Sequence, residues 1–162
     1  MPSAVRAGDV YILQIPGDNG EAKARRSIVL DGAPNPNDPA VVLLIFGCSE
    51  TKRNARPGSF IRINETDRDY RRLGLANATT FHLEDIRFYD ASSPSFSRPP
   101  QWKCSDRARM LDLRALLEKR LDDSTPIPLL PRLISDKARQ AASEYAGADR
   151  SSSVDETPRD DG

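Results

Sequence analysis

Histidine occurs once in these 162 residues, at His82, and cysteine twice, at Cys48 and Cys104. One histidine excludes histidine pairs for metal binding or acid–base work. Two cysteines in unrelated contexts build no disulfide framework, and without a CxxC or a Cys/His cluster there is no zinc-type site. Net charge is lacking too: 24 Lys+Arg stand against 24 Asp+Glu. A whole-molecule field that attracts nucleic acid is therefore excluded, and any such attraction must come from a local patch. No apolar run approaches the length of a membrane span, and "MPSAVRAGDV" has no signal-peptide core, so no membrane association and a cytoplasmic location are expected.

What is present falls into two parts. Up to about residue 90 the pattern is β. "GDVYILQI" (Gly8 to Ile15) is rich in β-formers and closes on Pro16-Gly17, and "RRSIVLD" (Arg25 to Asp31) is a short strand. "GAPNPNDP" is a loop by its prolines. Ala40 to Phe46 is a continuous apolar run, as expected of a strand buried on both faces, and "GSFIRIN" alternates like a half-exposed strand. "TDRDYRRLG" predicts a short helix with Thr66 as cap, Asp69 at the capping-box position and Gly74 as stop. Thr79 to Asp90 gives one or two more strands. Short strands with Gly/Pro turns and no long crossover helix point to a small antiparallel barrel rather than a parallel α/β sheet.

After residue 90 the composition changes. The boundaries expected are a barrel over 1–92, a Ser/Pro linker over 93–104, a helical extension over 105–147 and a disordered acidic tail over 148–162. Ser105 caps the first helix, whose stripe is Leu113, Leu116, Leu117 and Leu121. A second helix, capped by Ser135, runs to Ala146. Trp102 in the linker is an anchor for the first helix.

The ordered set "GDVYIL", "RRSIVL", a buried strand ending in Gly-Cys-Ser, "RPGSFIRI" and "GLANATTFHLEDI" resembles the PemK/MazF family of type II toxin–antitoxin toxins over about Gly8 to Asp90. The resemblance implies an SH3-like barrel working as a homodimer; with the C-terminal helices expected above, the chain is mainly β and α+β overall. It implies cleavage of single-stranded RNA without metal or cofactor, and neutralisation by a cognate antitoxin protein. By position the family's arginine falls on Arg26 and its Ser/Thr on Ser49. Ser27 stands where the family usually has proline, and Cys48 replaces the threonine of Gly-Thr-Ser. Thr80 and His82 stand where many members carry a basic and an acidic residue.

The chemistry implied needs little apparatus. The substrate's 2′-OH is the nucleophile, and the protein must orient it, move protons and stabilise charge on the phosphorus. A guanidinium holds two phosphate oxygens at once and is a poor free base, so charge stabilisation is the role expected of Arg26. Ser49 donates to the same phosphate, while Arg25, Lys52, Arg53 and Arg56 supply a positive surface for substrate. Each has an ordinary alternative: a surface arginine for Arg26, a turn serine for Ser49, solvated charges for the loop. Cys48 reads as a small buried residue rather than a nucleophile, His82 as structural or solvent-facing, and Tyr11, Phe60 and Phe81 as core. The rival function is a non-catalytic barrel that binds nucleic acid or poisons a protein target such as DNA gyrase.

Overall fold

The structure is a computed structural model that describes residues 5–16, 21–32, 41–49, 56–91, 93–122, 127 and 129–130. It is mainly β. The strands are β1 (Asp9–Pro16), β2 (Ala22–Asp31), β3 (Val41–Cys48), β4 (Phe60–Ile63), β5 (Thr79–Asp90), β6 (Trp102–Lys103) and β7 (Leu129–Leu130). One helix, α1 (Arg107–Asp122), follows β6. The sheet runs β4-β5-β3-β2-β1-β6 through antiparallel pairs and curls into a half-barrel, while β7 joins β5 in parallel.

Strict alternation builds two buried layers. Val10, Ile28, Leu43, Ile45, Phe81 and Ile86 face one side of the sheet, where Leu113, Leu116 and Leu117 of α1 close over them. Tyr11, Leu13, Val29, Val42, Leu44 and Phe46 face the other. The uninterrupted apolar run of β3 follows from this burial on both faces. The expected helical stripe is the buried one, although Leu121 is only partly covered.

The hydrophobic parity of β5 changes along its length. Ile45 pairs with Ile86, yet Gly47 pairs with Phe81, so His82 to Asp85 stand opposite Phe46 alone. This bulge bends β5, lets Thr79–His82 also pair with β4, and brings Asp85 toward the end of β3. The strand does not stop at Gly47. It continues to Cys48, and glycine is required because a Cβ there would lie 2.4 Å from Cγ2 of Thr79 and 3.0 Å from the Phe81 ring.

Three local expectations are corrected. The helix expected after Thr66 is a series of turns, in which the Asp67 carboxylate accepts from the Asn64 amide and Leu73 N–H donates to the Asp69 carbonyl. Asp69 does not act as a capping-box residue. Its carboxylate accepts from Nε and Nη2 of Arg109 at 2.8 and 3.1 Å, because burial of Asp69 demands a charged partner. Gly74 does end the segment, with φ +68°. The cap of α1 is Asp106 rather than Ser105: its Oδ1 accepts from the Arg109 amide at 3.1 Å.

The Ser/Pro segment is built into the fold. Pro94–Phe96 forms a 3₁₀ turn whose Phe96 packs edge-on against Tyr11 and Tyr89, with ring centroids 5.0 and 5.6 Å apart. Trp102 and Lys103 pair with Val10 and Asp9, and the Cys104 amide donates to the Gly8 carbonyl at 2.7 Å. The second helix expected over 135–146 and the tail from 148 lie outside the described residues. Among the described residues no helix is long and apolar enough to cross a membrane.

Candidate functional site

At one end of the half-barrel, the start of β2, the end of β3 and the 75–79 loop enclose an open cleft of about 600 Å³. Lys23, Arg25 and Arg26 line it from β2, Gly47, Cys48 and Ser49 from β3, Asn77 and Thr79 from the loop and the start of β5, and Asp85 from the bulge. Three cationic residues against one carboxylate give a balanced protein a locally positive hollow.

The two adjacent arginines are held in opposite ways. Arg25 leaves β2 on the Phe46 side, its guanidinium 5.8 Å from that ring's centroid. Its Nε donates to the Gly47 carbonyl at 3.0 Å, and its Nη2 lies 3.6 Å from Oδ2 of Asp85. Asp85 also lies 3.8 Å from Nη2 of Arg87. Arg25 thus ties β2 to the end of β3 and to the bulge. Arg26 leaves on the Ile28 side, and its guanidinium carbon sits 4.3 Å above the Trp102 ring. Its Nη1 is buried with no hydrogen-bond partner among the described residues. Burial alone pushes the Arg26 pKa below its ordinary value.

Ser49 follows β3 at an exposed bend on the rim of the same cleft. The cleft therefore brings together Arg25, Arg26 and Ser49. Arg56 is exposed and does not line it. Lys52 and Arg53 lie outside the described residues. Sequence reasoning missed Lys23, Asp85, Asn77 and Thr79. Asp85 had a readable signal, since the apolar positions switch from Phe81 and Leu83 to Ile86 and Phe88 across it.

The positions that depart from the family pattern have structural occupations. Ser27 is fully buried, and its hydroxyl donates to the Tyr11 carbonyl at 3.1 Å. Thr80 is buried and accepts from Nη1 of Arg62 at 2.7 Å. His82 is buried against Phe60, with ring centroids 5.5 Å apart, which fits a structural histidine and not a solvent-facing one. Charged side chains at Thr80 and His82 would have to be desolvated. Among the described residues no three of His, Cys, Asp and Glu gather as metal ligands would.

The two thiols differ in kind. Cys48 is half-buried on the cleft wall, 3.6 Å from the Thr80 carbonyl it donates to. Cys104 is in the core, where burial pushes its thiol up to about 11. One thiol per native chain is expected to react with a charged disulfide reagent at pH 8, and peptide mapping should place it at Cys48. Equal labelling of both before denaturant is added would show that the β6–α1 junction opens.

The chain matches no protein-family model and no curated protein.

Proposed function

We propose that the protein is an endoribonuclease that cleaves single-stranded RNA without a metal ion, on an SH3-like barrel of the toxin type neutralised by a cognate antitoxin. The observation that carries this reading is Arg26: a guanidinium that meets no carboxylate among the described residues and lines the same cleft as Ser49. In the reaction the substrate's 2′-oxygen attacks the adjacent phosphorus and the 5′-oxygen leaves, giving a 2′,3′-cyclic phosphate and a 5′-hydroxyl. Arg26 opposes the negative charge that grows on the non-bridging oxygens, and the Ser49 hydroxyl donates to the same group. Asp85, a carboxylate that lines the cleft, takes the 2′-hydroxyl proton and returns it to the departing 5′-oxygen. Lys23 and Arg25 contribute positive potential along the strand. A homodimer in the cytoplasm belongs to the same reading.

The test uses purified protein and a labelled single-stranded RNA in excess EDTA. Cleavage to cyclic-phosphate ends is expected, while DNA of the same sequence stays intact because it lacks the nucleophile. If no RNA is cut and expression still arrests growth, the barrel acts as a protein poison. Loss of toxicity when a small neighbouring reading frame is co-expressed tests the antitoxin.

A further inference from the structure

We infer that Trp102 is a positioning residue for an anion-binding guanidinium: it holds Arg26 by its ring face and so leaves the cation's charge free for a phosphodiester. The inference rests on the cleft reading above. Its basis is a contrast among the arginines. Arg25 and Arg87 both meet Asp85, and Arg109 meets Asp67 and Asp69. In each, a carboxylate orients the cation and offsets part of its charge. Arg26 is oriented by an indole face at 4.3 Å, which attracts a cation through its quadrupole and supplies no counter-charge. Part of the guanidinium is also stripped of water, since Nη1 is fully buried. An anion that reaches such a cation finds it less screened than a solvated arginine.

The indole is itself fixed. Trp102 pairs with Val10 through β6, and the next residue but one is tied to Gly8. Gly74 lies directly against the ring: a Cβ there would fall 2.2 Å from it. Trp102 does not line the cleft, so it acts on ligand only through Arg26. The seat is made by a segment whose composition reads as linker.

Trp102 is the sole tryptophan, so its emission reports on this stack without a label. The probe is a single-stranded 2′-O-methyl oligonucleotide, which keeps the phosphates and has no free nucleophile. A saturable change in emission is expected for the parent and not for Arg26→Gln. Trp102→Leu should weaken binding about tenfold, measured by anisotropy of the labelled probe, and Trp102→Phe, which keeps an aromatic face, by less than about threefold. Arg26→Gln should also lower the salt dependence of binding by about one counterion. If Trp102→Leu proves unfolded by circular dichroism, the Arg26→Gln arm decides, since its tryptophan is native. Binding without an emission change, or a folded Trp102→Leu that binds like the parent, overturns the inference and leaves the nuclease reading standing. An emission response with no cleavage of ordinary RNA supports the inference and ends the nuclease reading. No binding at any salt concentration overturns both.

Discussion

Arg26→Ala should slow single-turnover RNA cleavage by about two or more powers of ten, the usual loss when a principal electrostatic stabiliser is removed. The effect belongs in the rate more than in the affinity, because charge on the phosphate oxygens rises between ground and transition state. Arg26→Lys should recover little. An ammonium lacks the planar fork that holds two oxygens, and it lacks the planar face with which a guanidinium can stack on an aromatic ring. Ser49→Ala should cost less, since the exposed bend at Ser49 holds a neutral donor, and Ser49→Thr should be tolerated because the hydroxyl stays. An Arg26→Ala protein that cuts at the parental rate would remove Arg26 from the chemistry.

Arg109→Ala should lower unfolding stability by about 3–5 kcal/mol, read from urea denaturation midpoints. Asp69 keeps 4% of its side-chain surface exposed, and Arg109 is its bidentate partner. Those hydrogen bonds raise the Arg109 pKa in spite of burial. Deleting the cation leaves a carboxylate stranded in the core. Replacing both together, Asp69→Leu with Arg109→Met, should cost far less than Arg109→Ala, because no buried charge then remains. If the single and double variants lose equal stability, the cost lies in packing rather than in the orphaned charge.

These two residues also show where the sequence could be read and where it could not. β3 was legible because a residue run buried on both faces has no polar positions to confuse the pattern, and α1 because Leu113, Leu116 and Leu117 repeat at helical spacing. Thr66 and Asp69 have local capping-box spacing, but the partner that decides Asp69 lies forty positions away. Ser and Pro in 93–104 describe backbone preference and say nothing of tertiary docking. Phe96 and Trp102 were the apolar signals within that stretch, and both pack. At the site, Arg26 and Ser49 were reachable by position in an ordered set of motifs. The Arg25–Asp85 tie and the Trp102 seat were not, since each joins strands distant in the chain.

The seat of Arg26 sets an order of events during synthesis. Chains emerge N-terminus first, at about 5–20 residues per second. Arg26 is therefore made several seconds before the indole that will hold it, and β1 cannot acquire β6 as its neighbour until then. A nascent chain has the arginine, the serine and most of the sheet, and still lacks the contact that aims the guanidinium. Under the nuclease activity proposed above, this delay leaves each copy without an aimed guanidinium until nearly all of its described fold has left the ribosome.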